Sequence, residues 1–326
     1  MLEYLRKLKR QYKLQKGYLS EAYHFWRLTV KYNASNHTDE DLQKMQYTLS
    51  RETHTIEKGM SMRNPRKGFG QQKVTNLIGR LKKYCTLYLQ QNSEFLEYPL
   101  STIQTYIEYT HNTGVEIPDI DKAFAELLQM AGRTTVNSKA GIMPETRENV
   151  LAHCNKDFES LLYSRHSMRY FSNEPVSDEM LNKALELAQR TPSACNRQGW
   201  LTHVYRAPKS IDLIKWQGGS RGFEDEIKCA ILVTANLKAF LCHEVHQAYI
   251  DGGLYAMNLI NALHSLGLGT IPLSCGFMHE RLKELDNFGI SDYEVPIVII
   301  GIGNLPETYN VAVSERKNIN ITNTRH

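Results

Sequence analysis

Two short stretches decide the fold of this 326-residue chain: RHSMRYF at residues 165–171 and TPSACNRQGW at residues 191–200. In the first stretch, Arg165, Ser167 and Arg169 alternate, so an extended backbone directs their side chains to one side. Guanidinium and hydroxyl groups are the donors that a dianionic phosphate requires. In the second stretch, Asn196 and Gln198 also alternate and offer amide donors and acceptors to a ring. Either stretch alone also fits an ordinary polar surface loop, but together they predict a ligand-binding site.

The two stretches resemble the FMN-binding signature of the nitroreductase family, which reads R-x-S-x-R-x-F and then P-S-x-x-N-x-Q-x-W. The resemblance covers roughly residues 150–320. It implies an α+β fold, in which a nitroreductase-like sheet is flanked by helices and preceded here by a mostly helical N-terminal domain. It also implies FMN as the cofactor, NAD(P)H as the electron donor, and a homodimer with FMN at the interface.

Further segments of the second half are similar to the family. The apolar run from Asp251 to Leu266 resembles its central helix, and the backbone at Leu273 and Ser274 would face the flavin N5 atom. One departure follows the last strand, where the family's Gly-Tyr-Pro reads Gly-Asn-Leu-Pro at residues 303–306. The resemblance assigns to the cofactor the residues Arg165, His166, Ser167, Arg169, Pro192, Ser193, Asn196, Gln198, Leu273, Ser274, Gly301, Gly303 and Arg316.

Composition narrows the class of protein. The formal net charge of +4 is too small to imply a nucleic-acid partner by itself. No stretch is long and uncharged enough to span a membrane, and the first residues lack the apolar core of a secretory signal. The six cysteines show no CxxC spacing, which favours a reduced, cytoplasmic setting. The run Cys242-His243-Glu244-Val245-His246 lacks the spacing of a helical metal site, so we predict no metal.

Residues 1–150 are predicted to form a helical domain of unknown role, and residues 151–326 the FMN-binding domain. Helical periodicity or caps appear at Leu2 to Tyr12, Thr38 to about Gly59, Gln71 to Gln91, Tyr98 to Tyr109 and Asp121 to Met130. The helix predicted from Gln71 has one apolar stripe, which consists of Val74, Leu77, Ile78, Leu81 and Tyr84. The glycines and proline of residues 132–148 indicate a linker. The basic first helix could lie on an acidic membrane surface, but packing against the other helices is the preferred interpretation.

The second half alternates between helices and strands. Helices are predicted at Lys156–Tyr163, Ser177–Arg190 and Tyr249–Leu266, and strands at Leu201–Tyr205, Ile227–Thr234 and Val295–Ile302.

The densest polar segment of the first half spans residues 54–70 and ends in Gly68-Phe69-Gly70. It could cover a substrate site over the flavin and bind an anionic group, and it could equally be a solvated helix followed by a basic surface loop. The candidate substrate residues are His54, Glu57, Lys58, Arg63 and Arg66.

The sequence therefore predicts an FMN-dependent enzyme that uses NAD(P)H to reduce a small-molecule acceptor in a ping-pong cycle. No side chain is assigned as a catalytic proton donor, since the flavin supplies the redox chemistry. Two alternatives remain open. One is a biosynthetic tailoring enzyme of a polysaccharide or natural-product pathway, with specificity from the N-terminal domain; the other is a non-catalytic FMN-binding interaction protein. A redox role for Cys195 or Cys275 also stays open.

Overall fold

A computed structural model describes residues 2–32, 38–136, 140–241, 244–277 and 279–325. The chain divides into two compact units. The sheet unit comprises Met1–Tyr32 and Thr146–Glu307, and the helical unit comprises Asn33–Glu145 and Thr308–His326. This division differs from a single boundary at residue 150. The sheet unit also includes the N-terminal segment Met1–Tyr32, and the helical unit also includes the C-terminal segment Thr308–His326.

Helices α1 to α12 are, in chain order, Leu2–Tyr32, Leu42–Met60, Gln71–Tyr88, Glu97–Asn112, Pro118–Met130, Arg147–His153, Phe158–Ser164, Asp178–Ala188, Lys209–Gln217, Gln247–Ser265, His279–Leu282 and Ile319–Thr322. Strands β1 to β6 are Ile142–Thr146, Trp200–Arg206, Cys229–Asn236, Leu268–Ser274, Glu294–Asn304 and Thr308–Ala312.

The sheet unit is built on a four-stranded antiparallel sheet in the order β2-β3-β5-β4. Strand β3 is buried from Cys229 to Ala235, which explains its continuous apolar sequence. Helix α10 packs against β3, β4, β5 and α8, and its Tyr255 and Leu259 are fully buried in the shared core. The central apolar helix expected from the sequence is therefore the helix that covers the sheet.

The helical unit has its own core, formed by α2 to α5. The stripe of α3 predicted from its periodicity is buried, with Leu77, Leu81 and Tyr84 at 0% exposure. Strands β1 and β6 pair as a separate two-stranded sheet, and Val313 N donates to Gly141 O at 3.0 Å beside it. Because β6 pairs with β1, the C-terminal segment is fixed to this unit.

The predicted α+β class and the helical character of the first half are confirmed. The expected linker at 132–148 is wrong in part. Residues 142–146 form β1, and Thr146 Oγ1 caps α6 by accepting from Asn149 N at 3.1 Å. Gly141 and Pro144 are residues that favour turns, so the local sequence did not indicate a strand. The partner of β1 is β6, which begins at Thr308.

The expected packing of the first helix against the other helices is not observed. Helix α1 groups with the sheet unit, and its described apolar side chains are solvent-exposed, including Tyr4 at 66%, Leu19 at 70% and Trp26 at 58%. Within the described residues, the structure contains no helix with the length and apolar character of a membrane span.

Candidate functional site

The first signature stretch lies beside the first residues of β4. Met168 N donates to Thr270 O at 2.9 Å, and Ser167 forms an isolated parallel bridge with Thr270. Met168 and Phe171 are buried, whereas Arg165 and Ser167 are partly exposed. Extended backbone beside the sheet therefore places a guanidinium and a hydroxyl two residues apart where a ligand can reach them. Arg169 is 5% exposed and more deeply set than the alternation predicts.

The second stretch is a strained loop between α8 and β2. Cys195, Asn196 and Gln198 all have left-handed backbones, with φ of 50°, 55° and 50°. Such conformations cost free energy in residues with a side chain, and they concentrate at functional sites. Ser193 Oγ accepts from Gln198 N at 2.9 Å, and Gln198 Nε2 donates to Asn196 Oδ1 at 3.2 Å. The two predicted amide side chains are thus adjacent and exposed.

Helix α10 holds this loop from behind. Asp251, 1% exposed, accepts from Ala194 N at 3.1 Å and from Gln247 Nε2 at 2.7 Å. Two helical turns further along, Asn258 Nδ2 donates to Thr191 Oγ1 at 2.7 Å. Hydrogen bonds to a buried carboxylate are among the stronger ones in proteins. The loop geometry is therefore built by α10 rather than by the loop alone.

The C-terminal end of α10 lies beside the first stretch. His264 is 4% exposed, and its Nε2 is 2.9 Å from Ser164 Oγ at the end of α7. Burial, followed by the nearby positive Arg165 and His166, lowers the pKa of His264 to about 4. The imidazole is consequently neutral at physiological pH, and the positive charge near Arg165 is the kind that an anionic group would offset.

Leu273 and Ser274 are the last two residues of β4. The resemblance predicts that their backbone faces the flavin. Gln217 Nε2 donates to Ser274 O at 3.0 Å and so fixes this end of the strand. The adjacent Cys275 is buried, and this burial raises the pKa of its thiol to about 12. A thiolate at Cys275 is therefore not available near neutral pH, whereas Cys195 is exposed.

Gly301 and Gly303 lie in β5, and protein side chains fill the space beside them. A Cβ at Gly303 would approach Phe171 Cγ to 2.4 Å, and one at Gly301 would approach Ile271 Cγ2 to 2.9 Å. Packing within the sheet unit accounts for both glycines without a ligand, and their assignment to the cofactor stays a prediction.

The remaining predicted residues belong to the helical unit. Arg316 follows β6 and lines a cavity there, together with His54. Glu57 is fully buried, and its carboxylate accepts hydrogen bonds from protein groups; its predicted contact with a substrate stays a prediction. Lys58, Arg63 and Arg66 are not among the residues that line this cavity.

The 54–70 segment also differs from a covering loop. Phe69 packs edge-on against Tyr106, with ring centroids 5.6 Å apart, and sits so close to Gly59 that a Cβ there would meet its ring at 2.2 Å. The aromatic residue between two glycines therefore closes the core of the helical unit.

Sequence reasoning missed several polar contacts of the site. Arg197 forms a bidentate pair with Glu244, at 2.7 and 2.6 Å, and thereby ties the strained loop to the segment before α10. In the sequence, Glu244 stands out only as part of the run at residues 242–246 that resembles a metal site. Two residues of that run, Cys242 and His243, lie outside the described residues. Within the part of the chain that the structure describes, no group of three metal-ligating side chains occurs. The two residues are 47 positions apart, and no local pattern in the sequence indicates that they pair.

Buried polar atoms of β4 and α10 that have no hydrogen-bond partner among the described residues include Thr270 Oγ1, Tyr255 Oη and Asn261 Oδ1. Thr270 bridges to Ser167, and Tyr255 stacks on Trp200 at 4.8 Å. A buried polar atom without a hydrogen bond is costly, so these atoms mark places where a polar ligand group would be favourable.

Known proteins resemble the sheet unit. A profile of the Nitroreductase family matches residues 162–245. A protein of Archaeoglobus fulgidus named as an NADH dehydrogenase/NAD(P)H nitroreductase is 28% identical over 145 residues, which cover 44% of this chain and 82% of that protein. The NADH dehydrogenase of Thermus thermophilus is 23% identical over 179 residues, which cover 45% of this chain and 86% of that protein.

Solved structures give similar matches. A crystal structure from Exiguobacterium sibiricum, described as a nitroreductase in complex with FMN, is 21% identical with a TM-score of 0.46 and covers 52% of this chain and 98% of that chain. A nitroreductase family protein from Streptococcus pneumoniae is 21% identical with a TM-score of 0.45 and covers 52% of this chain and 100% of that chain.

Proposed function

Because the C-terminal half of this chain contains a domain of the nitroreductase family, we propose that the protein is an FMN-dependent enzyme that oxidises NAD(P)H and reduces a small-molecule acceptor. The observation that carries the proposal is the pairing of the two signature stretches through one helix. Asp251 and His264 are thirteen residues apart on α10, or about 20 Å. Asp251 contacts Ala194 of the second stretch, and His264 contacts Ser164, the residue just before the first stretch. An elongated ligand with a ring at one end and a phosphate at the other suits this arrangement.

The residues present fit FMN. Arg165 and Ser167, with the unpaired hydroxyl of Thr270 beside them, suit the phosphate end. Asn196 and Gln198, held in left-handed conformations, suit the polar edge of the ring, and the end of β4 at Ser274 suits its reactive side. Arg316 belongs to the helical unit and is assigned to the phosphate by resemblance alone.

FMN, when bound, supplies the ring that accepts and donates hydride. The chain binds and orients it: the strained loop presents its amides without reorganising, because Asp251 and Asn258 fix it in advance. Nicotinamide and acceptor would then use the same face in turn, which gives a ping-pong pattern. The five described cysteines are all unpaired, which supports a reducing, cytoplasmic setting.

Flavin binding to the purified protein tests the proposal. We expect a yellow protein that releases FMN and oxidises NAD(P)H with a quinone acceptor. Arg165→Ala should weaken FMN binding by about ten- to a hundred-fold, because hydrogen bonds to a charged group contribute about 1.5–3 kcal/mol. Arg190→Ala, a change at an exposed arginine after α8, is the matched control. Absence of flavin and of NAD(P)H oxidation would leave a non-flavin interaction protein; flavin without NAD(P)H oxidation would favour a non-catalytic role.

The proposal includes a homodimer formed through the sheet unit. Although α10 is buried on its sheet side, its other side exposes Ile250, Leu254 and Met257 at 52%, 48% and 42%. Helix α1 adds its exposed apolar side chains next to the start of α10, where Phe25 is 5.1 Å from His246 between ring centroids. A continuous exposed apolar surface of this kind is typical of subunit interfaces.

Light scattering on the full chain tests the dimer. We expect twice the mass of the chain, and the double change Leu254→Glu with Met257→Glu should give monomers. Leu187→Glu on α8, at a similarly exposed position, should leave the dimer intact. A monomer in the unchanged protein that floats with phosphatidylglycerol vesicles would instead support a membrane surface as the partner of α1.

A further inference from the structure

The helical unit contains a cavity of about 740 Å³. Among the residues that line it, Arg316 alone has been assigned to FMN, and only by resemblance. Its walls are α2, the segment between α3 and α4, the start of α4 and the segment after β6. Ligand sites for small organic molecules typically measure about 300–1,000 Å³. The cavity therefore has the size of a metabolite site, within one unit of the protein.

The walls are fixed in advance by Glu57, the buried carboxylate of α2. It accepts from Gly141 N at 3.0 Å, from Tyr98 Oη at 2.8 Å and from Ser314 N at 3.3 Å. Gly141 immediately precedes β1, Tyr98 lies in α4, and Ser314 lies in the segment after β6. One side chain thus joins three separate segments around the cavity, and a preorganised wall lowers the entropic cost of binding.

Tyr98 and His54 connect this anchor with the cavity itself. Both line the cavity, and both contact the Glu57 carboxylate; His54 Nδ1 lies 3.4 Å from Oε2. Because Nδ1 faces Glu57, Nε2 is the ring nitrogen that remains for a ligand. Burial, followed by the negative Glu57, raises the pKa of Tyr98, so its phenol remains protonated.

The other lining groups are of three kinds. Asn92 and Glu94 are amide and carboxylate groups of the type that bind ligand hydroxyls. Phe95 offers an aromatic wall. Arg316 and Lys317 provide positive charge, and one guanidinium N–H of Arg316 is already donated to Ser314 O, which leaves further donors of that group.

Charge selects among possible ligands. The carboxylate of Glu97 is neutralised by an ion pair with Arg133, so it does not oppose an anion strongly. The two negative charges of Glu94 and Glu315 balance the two positive charges of Arg316 and Lys317, so the net charge of the lining is close to zero. A polyanion would not be favoured there, whereas a ligand with several hydroxyls and one anionic group matches all three kinds of lining residue.

We propose that this cavity binds a hydroxylated organic phosphate, with its phosphate at Arg316 and Lys317 and its hydroxyls at Asn92 and Glu94. A sugar phosphate and a nucleoside monophosphate share this chemistry. The inference goes beyond the proposed function, because it requires neither flavin nor nicotinamide. It gives the helical unit a ligand of its own.

Calorimetric titration of the full, flavin-loaded protein tests the inference. The probes are glucose 6-phosphate and AMP, with glucose and inorganic phosphate as the arms that lack one half of the chemistry. We expect one of the two phosphate esters to bind at least ten-fold more tightly than either glucose or inorganic phosphate. Which ester binds separates a sugar source from a nucleotide source.

Two variants locate the binding in this cavity. Lys317→Gln should weaken the ester about ten-fold by removing a charge, and Ser50→Trp should abolish binding by filling the space from α2. Lys73→Gln, an exposed change on α3 outside the cavity, is the matched control. Melting temperature and flavin content, measured on the same samples, separate these effects from unfolding or loss of FMN.

Three results would overturn the inference: no binding of either ester, equal binding of inorganic phosphate, or unchanged ester binding in both cavity variants. None of them bears on the proposed oxidoreductase function, which is read from flavin content and NAD(P)H oxidation. Conversely, a protein without flavin that still binds the ester would retain this inference and lose the other.

Discussion

Replacement of Asp251 should weaken flavin binding although this side chain lies behind the signature loop. The loop holds three residues with side chains in left-handed conformations, Cys195, Asn196 and Gln198. At about 1 kcal/mol each, they store about 3 kcal/mol. The Asp251 carboxylate, 1% exposed, offsets this strain through its bonds to Ala194 N and Gln247 Nε2. Because hydrogen bonds to a charged group contribute about 1.5–3 kcal/mol, the anchor and the strain are of similar size.

Asp251→Ala should therefore let the loop relax and raise the Kd for FMN by about ten- to a hundred-fold, equivalent to about 1.4–2.8 kcal/mol. Quenching of FMN fluorescence on titration with apoprotein measures this change. Asp251→Asn is the internal control, because an amide can still accept from Ala194 N if Gln247 turns its own amide; its effect should be under ten-fold. Asp178→Ala, a change at an exposed acid on α8, should have none. An Asp251→Ala protein that folds and binds FMN as the wild type does would refute the reasoning.

Three further outcomes are expected. The pKa of His264 falls from 6.5 to about 4 on folding, so the neutral imidazole stabilises the folded protein fully above pH 6.5. This stabilisation, at most about 3 kcal/mol, is lost as the pH falls toward 4. Urea unfolding of His264→Gln should therefore show a weaker pH dependence between pH 6.5 and 4 than the wild type, and an identical slope would contradict the prediction. Glu57→Gln should cost about 2–4 kcal/mol by turning an amide N–H toward buried donors, while Glu116→Gln, at an exposed carboxylate, changes the melting temperature little. Iodoacetamide at pH 8 should label Cys195 and spare Cys275, whose thiol has a pKa of about 12; peptide mass mapping that finds Cys275 modified in folded protein would exclude this account.

Features with local causes were predictable from the sequence. The α3 stripe follows a 3.6-residue period that burial of one face imposes, so Val74, Leu77 and Leu81 were identified as core and are fully buried. Pairings across long stretches of sequence were not predictable. Strand β1 has five residues between a glycine and a helix, and its partner β6 begins at Thr308. No periodicity within either segment encodes the other.

Glu57 illustrates the same limit at the level of one residue. Its spacing from His54 and Lys58 on α2 made it look like part of a solvent-facing or substrate-facing set. Its burial comes from Gly141 and Ser314, 84 and 257 positions away in sequence. A helical wheel registers the helix's own neighbours only, so it cannot distinguish a polar residue at the surface from one that a distant segment covers.

Helix α10 shows why an apolar pattern underestimates a functional helix. Its apolar residues explain its place over the sheet, and they are what periodicity detects. The residues that shape the candidate site are the polar exceptions to that pattern. Asp251 and Asn258 are two turns apart on one face and both hold the signature loop, whereas His264, on another face, meets the end of α7. Each exception is buried or half-buried and has a partner from another element. A polar residue inside an otherwise apolar helix is therefore the sequence feature to examine first, because its burial must be compensated by a specific contact.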